Sequence, residues 1–159
     1  MKLISIPLTL ILTNIFSTNI KAEESYSFGL GIGPLYNGLG GNIAHISNNE
    51  MRYASAGCIS YSSLFGSTCG VGLGWIKTDL FESESNKDGY GIYIGTIGSE
   101  AELDHDGWDN KPIYGIGVGY HYFFNGIDES GSNLGISFGA GDSNNGTEHR
   151  LMFTFGYQF

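Results

Sequence analysis

Apolar residues alternate with small or polar ones along most of this chain, the two-residue period that sends successive side chains to opposite faces of a β-strand. The clearest case is the C-terminus. There Leu151, Phe153, Phe155, Tyr157 and Phe159 share one face, and Arg150, Met152, Thr154, Gly156 and Gln158 share the other. Tyr26, Phe28, Leu30 and Ile32 alternate with Ser27, Gly29, Gly31 and Gly33, and Val71, Leu73 and Trp75 with Gly70, Gly72 and Gly74. Tyr90, Ile92 and Ile94 alternate with Gly91, Tyr93 and Gly95. Tyr114, Ile116, Val118, Tyr120, Tyr122 and Phe124 alternate with Gly115, Gly117, Gly119, His121 and Phe123, and Leu134, Ile136, Phe138 and Ala140 with Asn133, Gly135, Ser137 and Gly139. Two weaker segments lie near 39–46 and 51–61. The pattern predicts eight strands, at 26–33, 39–46, 51–61, 69–77, 89–98, 112–124, 133–141 and 148–159.

An apolar face repeated on every strand must be covered. In a soluble sandwich or a lipocalin-like binder a second layer or a ligand covers it. In a membrane barrel lipid covers the outside and the polar or small face lines the lumen. Eight antiparallel strands of about ten residues make a small barrel of this kind and close without an exposed edge. The expected fold is therefore all-β, an eight-stranded antiparallel up-and-down transmembrane barrel, its inner glycines leaving room for larger side chains opposite. The terminal run Phe-Gly-Tyr-Gln-Phe at 155–159 and the run at 114–124 resemble strands of the small outer-membrane barrels of the OmpA/OmpX type. That resemblance implies outer-membrane location, and it implies that Phe155, Tyr157 and Phe159 form the signal read by the outer-membrane assembly machinery.

Residues 1–22 read as a secretory signal: Lys2 precedes an apolar run from Leu3 to Leu12, and cleavage is expected after Ala22. The domain is then 23–159, located in the outer membrane of a Gram-negative bacterium after processing. Loss of Lys2 and Lys21 leaves five Lys and Arg against sixteen Asp and Glu, a formal charge of −11. So acidic a chain has no general basic field for nucleic acid. With a periplasmic N-terminus, loops near 34–38, 62–68, 99–111 and 142–147 face outward, and turns near 47–50, 78–88 and 125–132 face the periplasm. With the turn centred at Ser63-Leu64, Cys58 and Cys69 oppose each other. In an oxidising compartment they are expected to form a disulfide.

Candidate chemistry is sparse. Gly-x-Gly-x-Gly recurs at 29–33, 70–74 and 115–119 without the spacing or helix of a nucleotide fingerprint, so these are strand glycines. His45-Ile46-Ser47-Asn48 looks like the His-x-Ser-Asn motif of outer-membrane lipid A 3-O-deacylases, with Glu50 as a third member. That resemblance implies acyl transfer through a His-activated Ser. The motif lies here in the first hairpin rather than near the C-terminus, and the preferred reading is an interfacial His before an Asn-rich turn. His121 is expected in the lumen as an interior group, with Arg52 and Arg150 as lumenal charges. Glu100, Glu102, Asp104, His105, Asp106 and Asp109 crowd the 99–111 segment. Of these, Glu102, Asp104, Asp106 and Asp109 are candidate ligands for a weakly held divalent cation in an otherwise solvated loop.

The sequence thus predicts a monomeric outer-membrane barrel with a structural or surface-interaction role and no cofactor. Its partners are outer-membrane lipid, lipopolysaccharide and the assembly machinery, with divalent cations as a further partner. A lipid A-modifying hydrolase and a narrow passive pore are the alternatives.

Overall fold

The computed structural model describes residues 25–62, 66–81, 85–104, 107–144 and 146–159. The expected signal segment lies outside them. Eight strands run in sequence: β1 (Ser25–Ile32), β2 (Leu39–Ser47), β3 (Glu50–Ser62), β4 (Gly66–Lys77), β5 (Asp88–Asp104), β6 (Gly107–Phe123), β7 (Gly131–Ser143) and β8 (Gly146–Gln158). Each pairs antiparallel with its neighbours in the chain, and β8 returns to β1, closing a barrel in the order β1 to β8. Among the described residues no helix is long and apolar enough to cross a membrane, which says nothing about strands.

The two-residue period sorts the side chains as expected. Ile43, Leu73, Ile94, Ile116, Phe138 and Phe153 stand on the outer face, each more than half exposed. The interior is filled by Met51, Tyr53, Ile76, Tyr93, Ile113, Phe123 and Ile127, with Asn42, His121, Asn133, Thr154 and Gln158 among them. Several inward glycines are seats for tyrosine rings. A Cβ built on Gly74 falls 2.3 Å from the Tyr53 ring, and one on Gly117 falls 2.3 Å from the Tyr93 ring. Glycine on one wall is therefore what lets a large ring cross from another, and the lumen is packed rather than open.

Cys58 and Cys69 are directly opposed on β3 and β4 and are joined by a disulfide. In the entropic account a loop this short contributes about 2–3 kcal/mol. The register shifts by one residue between Cys58 and Ser60, leaving Ile59 as an extra residue on β3. The expected pairing therefore holds on the body side of the bridge and slips beyond it. The turn centre itself, Ser63-Leu64, lies outside the described residues.

Three expectations need correction. The 99–111 segment is not a loop. β5 and β6 continue their ladder from Ser99↔Pro112 to Asp104↔Gly107, so Glu100, Glu102, Asp104 and Asp109 belong to a hairpin arm. The segment at 34–38 does not face outward but turns into the lumen, where Leu35 and Tyr36 have no exposed surface. Arg52 is not lumenal. On β3 the large residues Met51 and Tyr53 point inward, which puts Arg52 outside, paired with Glu50 at 2.7 Å.

The ring-on-glycine packing makes a prediction. Gly117→Val should destabilise the barrel by about 1–3 kcal/mol, the range for overpacking a filled interior. The outer-face change Val118→Ala should stay within about 0.5 kcal/mol. Tyr93→Leu, which withdraws the ring, should recover most of the Gly117→Val loss. Urea unfolding of the purified, folded protein measures all three.

Candidate functional site: the plugged lumen and its vestibule

The β1–β2 connection carries the most distinctive local structure. Gly33 and Gly38 exchange both backbone hydrogen bonds, Gly33 N–H to Gly38 O at 3.0 Å and Gly38 N–H to Gly33 O at 3.1 Å. Their φ values of 102° and 98° lie where side chains are strained. A Cβ would also meet the Phe153 carbonyl oxygen at 2.2 Å from Gly33, and the Cys58 carbonyl oxygen at 2.5 Å from Gly38. Both positions therefore require glycine. Between them Pro34, whose fixed φ suits the first position of a helical turn, opens the 3₁₀ turn Pro34–Tyr36. The chain dives inward and returns.

This plug is held on several strands. Tyr36 lies over Gly31 and Gly156, at which a Cβ would come within 2.5 and 2.4 Å of its ring. Asn133 Nδ2 on β7 donates to the Tyr36 hydroxyl at 2.7 Å. Asn42 Nδ2 on β2 donates to the Leu35 carbonyl at 3.2 Å, and Asn42 Oδ1 accepts from Gln158 Nε2 at 3.0 Å. Asn37, left-handed at φ 55° and almost wholly buried, reaches β5. Its Oδ1 accepts the Thr96 backbone N–H at 3.0 Å, and its Nδ2 donates to Thr96 Oγ1 at 3.2 Å. The β4–β5 ladder spans only Leu73↔Ile94 to Lys77↔Tyr90, so Thr96 lies beyond it. An asparagine side chain serves there in place of the neighbouring strand.

Beyond the plug, at the same end of the barrel as the β1–β2 connection, a cavity of about 470 Å³ remains. Pro34 lies in its floor, Ile97, Gly98 and Met152 in its walls, and Arg150 at its side. Arg150 follows expectation in pointing inward. A Cβ on Gly98 would sit 3.3 Å from its guanidinium carbon, and its Nε and Nη2 donate to Glu148 Oε2 at 3.1 and 2.5 Å.

The other candidates are scattered. His121 is buried in the lumen beside Gly135. His121 Nδ1, Ser137 Oγ and Thr154 Oγ1 are buried with no hydrogen-bond partner among the described residues. His45 is on the outer face, edge-on to Tyr26 at 5.1 Å and across from Arg52. Ser47 lies opposite Glu50 at the Asn48-Asn49 turn. The Glu50 carboxylate receives Arg52 and, at 3.2 Å, Trp75 Nε1. The fold thus separates His45 from His121 by the barrel wall. In the hairpin arm Glu102 pairs with Lys111, and Glu100 accepts the Asn144 N–H at 3.0 Å. Asp104 and Asp109 enter only through their backbone register, and Asp106 lies outside the described residues. Among the described residues no three His, Cys, Asp or Glu side chains are grouped to hold a metal ion. Comparison with protein-family models, curated proteins and solved structures finds no match for this chain.

The plug residues were the ones that sequence reasoning missed. Their signal is the bracketing of two large residues, Leu35 and Tyr36, by Gly33-Pro34 and Asn37-Gly38 in a connection otherwise expected to be polar. Asn37→Ala should leave the Thr96 N–H unpaired and cost about 1–3 kcal/mol. It should also speed amide exchange at Thr96 by about tenfold or more if that cost is expressed as local opening. Asn37→Asp, which keeps the acceptor, should preserve most of the Thr96 protection.

Proposed function

We propose that this chain is an integral outer-membrane barrel, monomeric and closed to ion flow, with a structural or surface-interaction role. The observation that carries the reading is the outer face. Apolar side chains cover most of it, and the last strand pairs with the first, so the closed wall presents hydrocarbon to its surroundings. The plug argues against the pore alternative, since Leu35 and Tyr36 occupy the space a conducting path needs. The separation of His45 from His121, and the engagement of Glu50 with Arg52 and Trp75, weigh against a deacylase-like centre at either histidine.

On this reading Phe155, Tyr157 and Phe159, all on the outer face of the closing strand, engage the assembly machinery and then lipid. The β5–β6 arm, with its acidic positions, is presented at the surface toward lipopolysaccharide and any cations bridging to it. The signal segment directs export before removal.

Heat-modifiable migration in detergent, together with recovery in the outer-membrane fraction, tests the placement. In planar bilayers the parent protein should show no steady conductance. Leu35→Gly combined with Tyr36→Gly should still produce none, because Met51, Tyr53, Ile76, Tyr93 and Phe123 fill the rest of the lumen. A parent that conducts steadily would replace this reading with the pore.

A further inference from the structure

The wall of this barrel is interrupted on one side. The β1–β8 ladder covers only Gly29↔Gln158 to Ile32↔Phe155, whereas β8 continues to Gly146. The β2–β3 ladder begins at Leu39↔Cys58, whereas β3 continues to Ser62. The short β1–β2 hairpin ends at the Gly33–Gly38 pair and drops into the lumen, so beyond that pair β8 and β3 flank a notch with no strand between them among the described residues. The 470 Å³ cavity confirms the opening. Its lining combines outer-face residues, Ile32, Leu39 and Phe153, with the inward-facing Ile97, Arg150 and Met152. Side chains from both faces can line one cavity only where it passes through the wall.

The notch has a definite level and polarity. On β8 the outer face is apolar up to Leu151 and turns polar at His149 and Thr147, so the notch opens at the upper margin of the apolar band. Its rim exposes Phe153 and Leu151 on one side and Leu39 on the other, while the plug closes its floor. Unpaired strand edges at hydrocarbon depth carry a large penalty unless something shields them. Arg150, exposed beside the cavity, is held to Glu148 through Nε and Nη2, so an ion pair stands at the mouth and a lipid phosphate there competes with that carboxylate.

Resting on the membrane reading above, we propose that the notch is a lateral binding site for one acyl chain of an outer-leaflet lipid. The chain enters between β8 and β3 and lies on the plug, and the lipid's phosphate meets the Arg150 guanidinium through charge-assisted hydrogen bonds. The lining is about half polar: Ile32, Leu39, Ile97, Met152 and Phe153 suit the chain, and Thr96, Ser99 and Arg150 suit the headgroup. The volume falls within the ordinary range of small-molecule sites, and the floor stops passage onward.

The test uses the full exported chain in nanodiscs of phosphatidylethanolamine and phosphatidylglycerol, with native mass spectrometry at energies that strip annular lipid. One lipid, preferentially phosphatidylglycerol, should remain on each barrel. Arg150→Gln should lower that retention about tenfold, the scale of one charge-assisted contact, and abolish the preference. Ile59→Trp, which fills the notch from β3, should lower retention of both lipids. Heat-modifiable migration identifies which variants fold, and either variant alone suffices. A parent that inserts but retains no lipid, or retention untouched by a folded variant, overturns the notch proposal and leaves the membrane reading standing. A parent that does not insert overturns both. Equal capture of free glycerol phosphate in detergent would show an anion site in place of a lipid site, and would also overturn it.

Discussion

A sheet escapes having an edge only if its last strand finds its first, and in this protein that closing seam is short. Four register pairs join β1 to β8, extended by the Phe159 N–H to the Phe28 carbonyl at 2.8 Å and by Ser27 Oγ to the Phe159 carbonyl at 2.9 Å. Phe28 and Phe159 stack across the same seam at 5.5 Å. If the seam fails, two strand edges open and the lumen loses its wall. The C-terminal aromatic pattern and the inward Gln158, which also reaches Asn42, therefore act on one problem from both faces of the sheet.

The plug follows from the shortness of that seam. A β1–β2 hairpin that stops at Gly33 and Gly38 leaves its neighbours without partners, and the chain folded inward compensates part of the loss. Asn37 supplies the acceptor that β4 does not give Thr96, and Tyr36 joins β7 through Asn133. Tyrosines seated over glycines fill what remains. Lumen, plug and wall are thus one packed body, and the vestibule and notch are the space the compensation leaves open.

The wall was legible in the sequence because each outward residue repeats the same two-residue signal and each inward glycine confirms it. The disulfide was legible because Cys58 and Cys69 fall in that register. Legibility failed where the signal failed. At Glu100, Glu102 and Asp104 charges stand where apolar residues would mark a strand, so the β5–β6 arm read as a loop. On β3 the outward positions are Arg52, Ala54 and Ala56, too small or too polar to declare their face, so Arg52 was placed inside. The plug depends on contacts from residues as distant in sequence as Thr96, Asn133 and Gly156, and no local pattern reports those.

The central claim is that the apolar outer face is solvated by lipid. Nitroxide labels on single cysteines introduced along β6 and β7, with the Cys58–Cys69 disulfide intact, test it in reconstituted vesicles. Positions 116, 118, 136 and 138 should be accessible to oxygen and shielded from a water-soluble nickel chelate. Nickel accessibility at the outward positions, equal to that of the same labels in an unfolded chain, would contradict the account.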